Sequence, residues 1–344
     1  MSSAQFVFQA VKGIQANMEY FATMVPLDCL SKLFIFNNED LPPELRAQRI
    51  LNKARIPAIC DYIIKNPTSY VFSALTASVD GNILFTPIDE KYPSIGTIAI
   101  DFSSKLLIND GQHRYAAIKS ALKLNPDLKY EHIPVILYHD LGLKRSQQMF
   151  SDLNKFALRP THSLNIMYDN RDADSKLVKD IIANVPVFKD LVDTEHTSIS
   201  NRSNQLFTLS GLHRGTKALF SGLPWNYEKK REIGIIFWNV VSEYMQDWKD
   251  VYHGKIKAYA IRQNSLSSLS ITIKGLGAIG NEILHNAPET INTALSPLSQ
   301  IDWHKNGPLW KEGIVVNGSV VSSRATQKMM ENILCNAIRG AING

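Results

Sequence analysis

The stretch LLINDGQHRYAAIKS, residues 106–120, constrains the fold more than any other. An apolar run suited to a strand ends at Asp110-Gly111, and helical spacing of apolar residues begins at once. A strand must hand over to a helix within a tight turn, so this part of the chain reads as mixed α/β. Gly111 gives the turn its positive φ and allows close backbone approach.

The turn also has chemistry. A helix starting here presents unpaired N–H groups and the positive end of its dipole, which attract phosphate. The planar fork of Arg114 suits phosphate oxygens. His113 can donate a hydrogen bond or exchange a proton near neutral pH, and Gln112 can bond an oxygen or a base edge. A purely structural use fits equally well: Asp110 caps the helix, Gly111 makes the turn and Arg114 is solvated. One His and one Asp three residues apart are too few ligands for a metal.

Upstream, residues 42–66 open with two prolines and continue with helical spacing, with a break expected at Pro57. Residues 69–79 are β-rich, and Asp80-Gly81 between apolar runs is a hairpin signal. SIGTIAIDF and KLLIN read as strands, IPVILYH as a buried strand, and KRSQQMFSDLNKFAL as a helix stopped near Pro160. After about residue 170 helical patterns dominate, among them DADSKLVKDIIANV, YEKKREIGIIFWNVVSEYMQDW and ATQKMMENILCNAIRGAI. The expectation is therefore an α/β domain with a mixed sheet over 1–170, followed by a mainly α-helical domain over 171–344.

The 344 residues are 44% hydrophobic and 20% charged, which suits a chain with sizeable cores. No run of 18 apolar residues exists and the N-terminus does not read as a signal peptide, so a cytoplasmic location without membrane partners is expected. Three cysteines with no close spacing support neither a disulfide framework nor a zinc site. Cys60 and Cys335 sit in apolar helical contexts. Cys29, beside Asp28, Ser31 and Lys32, is the candidate reactive thiol.

Between residues 200 and 262 there are ten basic and five acidic residues, a surplus equal to the net charge of +5 for the whole chain. Arg202, His213, Arg214, Lys217, Lys229, Lys230 and Arg231 are the candidate DNA contacts, with a helix expected to start at Ser210. No helix-turn-helix spacing is evident, and a solvated helical face is the ordinary alternative. Gly275, Gly277 and Gly280 fit a dinucleotide fingerprint, but no βαβ unit surrounds them, so a glycine-tolerant helix is the better reading.

NDGQHRYAAI resembles the hallmark of the DGQHR-domain proteins, which are similar to the ParB and sulfiredoxin superfamily. A second superfamily box is matched without a gap by SDLNKFALRP, residues 151–160. There Asp152, Asn154 and Lys155 stand in place of Asn, Gln and Arg, while Leu158 and Pro160 are kept. The resemblance implies a ParB/sulfiredoxin-like fold for the first domain. It also implies a phosphate or nucleotide site at Asp110, Gly111, Gln112, His113, Arg114, Asn154 and Lys155, with Asp152 suited to a hydrated Mg²⁺. ATP or another nucleotide with Mg²⁺, DNA phosphate, or no nucleotide all stay open. Gln112 occupies the place of the sulfiredoxin cysteine, which excludes sulfinic-acid reduction by that thiol.

Beyond this turn, EYFATMVPLDCLSKLF, PPELRAQRILNKARIPAICDYIIKNP, SYVFSALTASVDG and MFSDLNKFALRPTHSLNIMYDNRD together resemble the DndB family of DNA sulfur-modification proteins. That resemblance implies a DNA-binding repressor of a bacterial phosphorothioate-modification operon. The partners expected are double-stranded promoter DNA, other modification proteins and a second copy of the chain. The alternative is a superfamily NTPase or DNA-nicking enzyme with Asp110, His113 and Asp152 as its polar centre.

Overall fold

The computed structural model describes residues 4–34, 51–140, 142–155, 160–311 and 313–342, with side chains described up to residue 338. The chain forms two compact units that divide between Leu158 and Arg159, upstream of the boundary expected at 170.

Unit 1 is built on a seven-stranded mixed sheet in the order β4-β5-β1-β2-β7-β3-β6. The strands are β1 (Gln5–Gln15), β2 (Met18–Pro26), β3 (Leu75–Asp80), β4 (Ile83–Pro87), β5 (Ile95–Asp101), β6 (Lys105–Asp110) and β7 (His132–His139). Among these seven described strands only β3 and β7 pair in parallel. The helices are α1 (Leu30–Leu33), α2 (Ile56–Lys65), α3 (Gln112–Leu124) and α4 (Leu143–Lys155).

Two expectations are corrected here. The Asp80-Gly81 pair makes no hairpin: β4 pairs with β5, while β3 pairs with β6 and β7. The physical consequence is a curled sheet. Asp80 and Ile83 are three residues apart along the chain, so within ~10 Å of each other. In a flat sheet, β4 and β3 would lie five strand spacings apart, ~24 Å at ~4.8 Å per strand. Phe21 on β2 meets Phe85 on β4 with ring centroids 5.7 Å apart, a contact across the concave side. Pro57 does not break a helix but sits in the first turn of α2, where its missing N–H costs nothing. The expected helix at 42–50 lies outside the described residues. The β1–β2 hairpin carries no hairpin signal in the sequence, because its turn uses Ala16 and Asn17, with φ of 49° and 60°.

Unit 2 is helical: α5 (His162–Tyr168), α6 (Ala173–Asn184), α7 (Pro186–Lys189), α8 (Leu209–Leu219), α9 (Tyr227–Tyr244), α10 (Gln246–Tyr252), α11 (Ala258–Asn264), α12 (Ser270–Asn286), α13 (Ile291–Leu295), α14 (Pro308–Lys311) and α15 (Arg324–Ile342). Its strands are two-residue pairings, β8 (Val192–Asp193) with β9 (Phe207–Thr208) and β10 (Val315–Val316) with β11 (Ser319–Val320). The helix expected over 227–248 is interrupted at Met245, which separates α9 from α10.

Gly275, Gly277 and Gly280 all lie inside α12 and are buried. A Cβ at Gly277 would overlap the carbonyl of Gly215 on α8, and one at Gly280 would overlap Phe237 and Leu219. The glycines therefore let two helices pack closely and bind no dinucleotide. Phe188, Phe207, Trp238 and Trp248 form an edge-to-face aromatic cluster in this core.

Candidate functional site

The 110–114 turn joins β6 to α3 as the sequence implies, and each of its five side chains or backbones serves the fold. Gly111 is the N-cap of α3 with φ +101°, and no side chain caps the helix. A Cβ there would overlap Leu75 as well as strain the backbone. Arg114 does not face solvent. Its Nη2 donates to Asp110 Oδ2 at 2.6 Å, and its Nη1 reaches Ser73 O at 2.5 Å, Ser73 Oγ at 2.7 Å and Ala74 O at 2.7 Å. The guanidinium thus bolts the turn to the segment that leads into β3. His113 Nε2 accepts a hydrogen bond from the Asn52 N–H at 3.1 Å, so that nitrogen carries no proton. Gln112 is buried, with Nε2 directed at Ile108 O, 3.4 Å away.

Behind the turn lies a buried polar pair. Ser78 Oγ donates to Asn109 Oδ1 at 2.9 Å, while Asn109 Nδ2 has no protein partner. α4 packs on β6 and follows β7, whose end lies beside Val79 near the start of β6; it therefore runs toward the Asp110 end. Asp152, Asn154 and Lys155 are all exposed on its last turns. Asp152 accepts from Gln148 Nε2 at 2.7 Å, and Asn154 donates to Phe150 O at 2.8 Å. Leu158 lies outside the described residues. Among the described residues no three His, Cys, Asp or Glu side chains form a group that could hold a metal ion. The feature of this turn that fits a phosphate is the helix start with no capping side chain, not Arg114.

Cys29 is half-buried. Burial, then the neighbouring Asp28, pushes its thiol up, against a smaller opposing effect of Lys32, so at neutral pH it stays protonated.

In unit 2, α8 begins at Leu209, one residue before the expected start, with Thr208 Oγ1 capping the Gly211 N–H at 3.1 Å. The helix separates the candidates. His213 is half-buried, while Arg214 and Lys217 are exposed. Lys217 pairs with Asp174 at 3.4 Å and Arg231 pairs with Asp180 at 3.3 Å. Lys229 lies over the Trp225 ring at 4.1 Å. These carboxylates come from α6, outside the window whose charge surplus stands out in the sequence. Among the described residues, the side chains of Arg202, Arg214 and Lys230 make no ion pair or hydrogen bond.

His213 packs edge-on against His162 with centroids 6.0 Å apart, and its Nε2 is buried without a partner. Burial pushes its pKa down; Asp174 and Asp172 pull it up, and His162 and Lys217 add to the lowering. Asp172 caps α6 through the Ser175 N–H at 2.8 Å and also accepts from Ser175 Oγ at 2.7 Å. Its own burial would raise its pKa, but these bonds, His213 and Lys217 together hold it low.

One residue of the expected basic surface plays a different part. Arg262 points inward, donating to the carbonyls of Ser200, Ser203 and Gln205, and so fixes the loop that carries Arg202 at its exposed tip. The sequence holds no local signal for this, because the partners are some sixty residues away.

A family model described as DndB, DNA-sulfur modification-associated, matches residues 8–340. No curated protein and no solved structure matches the chain.

Proposed function

The chain belongs to the DndB family, which ties it to DNA sulfur modification, and from that premise we propose that it is a DNA-binding repressor of a phosphorothioate-modification operon. The observation that carries the DNA reading is the set of cations in unit 2 that the protein itself leaves unpaired. Arg214 and Arg202 are exposed and Lys230 is half-buried, all three on a helix or a pinned loop. Arg214 stands one turn from Lys217, and Lys230 lies between Lys229 and Arg231. Such groups can exchange water and counter-ions for DNA phosphates without breaking a bond of the fold. The paired cations Lys217 and Arg231 can join only by releasing Asp174 and Asp180.

The 110–114 turn serves unit 1 as a latch in this reading. A phosphate ligand, from a nucleotide or from DNA, would meet the main-chain N–H groups at the start of α3. A nicking or NTP-hydrolysing centre at Asp110 and His113 is not favoured. Asp110 is committed to Arg114, and His113 Nε2 is committed to Asn52.

The test is binding of the purified chain to the promoter fragment of its own operon and to a scrambled fragment, over a salt series. ATP with Mg²⁺ is present or absent, and the DNA is then run on a denaturing gel. Promoter-selective binding with intact strands is expected. Equal, weak binding to both fragments, or cut strands, would overturn the repressor reading.

A further inference from the structure

The convex face of the unit 1 sheet is divided in an unexpected way. Residues opposite each other in paired strands point to the same side, so the register assigns every side chain to a face. Where α4 packs at β6, the fully buried positions are polar, Thr76, Ser78 and Asn109, beside the half-buried Leu107 that pairs with Ser78. Across β4, β5, β1 and β2 the same face carries Val7, Val11, Met24, Leu84, Ile88 and Ile95, which are 46% to 75% exposed. Leu84 and Val7 both pair with Ala99, Val11 pairs with Ile95, and Ile88 donates its N–H to Ile95 O, so these side chains are neighbours. Gln9, Ala22, Thr86, Thr97 and Pro134 fill the gaps, and with Val11, Met24, Ile88 and Ile95 they line a groove of about 760 Å³, beside which Val7 and Leu84 extend the patch. Asp101, bonded by Gln5 at 2.9 Å at one edge, is the charged residue of this face on the four strands.

We propose that this face is the interface between two copies of the chain. Three observations select a second copy over a foreign partner. The patch has no charge in its middle, and so nothing to select a dissimilar surface by electrostatics. It is a regular sheet surface, and two such faces can pack back to back across a two-fold axis at the ~10 Å spacing of stacked sheets. Its area also suffices. Six aliphatic side chains more than half exposed on average, with the small residues between them, offer on the order of 600 Å², near the top of what a monomer leaves uncovered. Two copies then bury about 1,200 Å², the lower bound for a stable pair. The interface lies wholly in unit 1 and is independent of the DNA reading.

The experiment is the solution mass of the full chain without DNA, by sedimentation equilibrium, for the natural sequence and for Val11→Lys, Met24→Lys and Val71→Lys. Val71 is 77% exposed and lies off the sheet, so it controls for adding a surface lysine. The natural chain and Val71→Lys are expected at twice the chain mass. Val11→Lys and Met24→Lys are expected to dimerise at least about 30-fold more weakly, since each would bury a lysine in an apolar interface. Both positions are exposed in the single chain, so matching far-UV circular dichroism spectra, taken at a dilution where every variant is monomeric, establish that the fold is intact. A natural chain that stays monomeric up to about 100 µM, or dimers indifferent to both patch lysines, would overturn the proposal. Because no DNA is present, neither result bears on promoter binding.

Discussion

Two segments of this chain carry the same pattern, Gly-x-His-Arg, at 111–114 and at 211–214, and use it in opposite ways. In the first, Gly111 is needed for its conformation, with φ +101°. In the second, Gly211 lies inside a helix with ordinary backbone geometry, and a Cβ there would press on two movable hydroxyls, Ser270 Oγ and the capping Thr208 Oγ1. His113 offers its Nε2 to a backbone N–H, whereas His213 Nε2 is buried with no partner. Arg114 is turned inward onto Asp110, Ser73 and Ala74, and Arg214 is turned outward. The same four-residue pattern is a structural latch in one unit and a surface charge in the other. What decides is the context: a strand-to-helix junction with carbonyls in reach, against a helix whose next turn faces solvent.

The largest expected effect is on the latch. Arg114→Ala strands a carboxylate and two carbonyls, and should destabilise unit 1 by about 2–3 kcal/mol, while Arg214→Ala should change stability by less than about 0.5 kcal/mol. All five tryptophans lie in unit 2. Denaturant unfolding followed by tryptophan fluorescence should therefore leave the Arg114→Ala midpoint in place while far-UV circular dichroism shows the early loss of unit 1. An Arg114→Ala chain as stable as the natural one by both signals would dissolve the contrast.

Next come the glycines. Gly111→Ala should cost about 1–3 kcal/mol through its positive φ. Gly211→Ala should cost about 1 kcal/mol or less, because the Ser270 hydroxyl can rotate away, the capping Thr208 Oγ1 need move only a few tenths of an ångström, and alanine favours the helix. Equal losses in the two variants would mean that conformation is not what Gly111 supplies. Arg214→Ala should then lower the steepness of promoter binding against log salt by about one unit, with no such change expected for Gly211→Ala.

The smallest effect concerns His213. Its folded pKa lies below its unfolded value, so protonation favours the unfolded chain. The stability it contributes is present above ~6.5 and is lost as pH falls from there toward the folded pKa. The fluorescence midpoint of the natural chain should drop between pH 7.5 and 5.5 by more than that of His213→Gln. Identical shifts would show that the buried nitrogen has no bearing on acid stability.

Much of this was legible in the sequence where the signal is local. Asp-Gly followed by helical spacing marks the start of α3, and the loss of strand patterns marks the change to helices in unit 2. Partners distant in sequence were not legible. Asp80-Gly81 signals a turn, but strand pairing across the curled sheet is decided by burial of both faces of β3 and not by the turn residues. Ala16-Asn17 lacks the glycine that advertises a hairpin. A count of charges over 200–262 shows a basic surplus, yet Lys217 and Arg231 find carboxylates on α6, and Arg262 turns inward. The polar half and the apolar half of the convex sheet face become distinct only once register is known.

The most direct measurement is promoter binding against salt for the natural chain and for a chain with Arg202, Arg214 and Lys230 all changed to Ala. If these three meet DNA phosphates, affinity falls and the slope against log salt shrinks by about 0.9 for each phosphate that is no longer neutralised, with both unfolding signals unchanged. An unaltered slope and affinity in the triple variant would contradict the account.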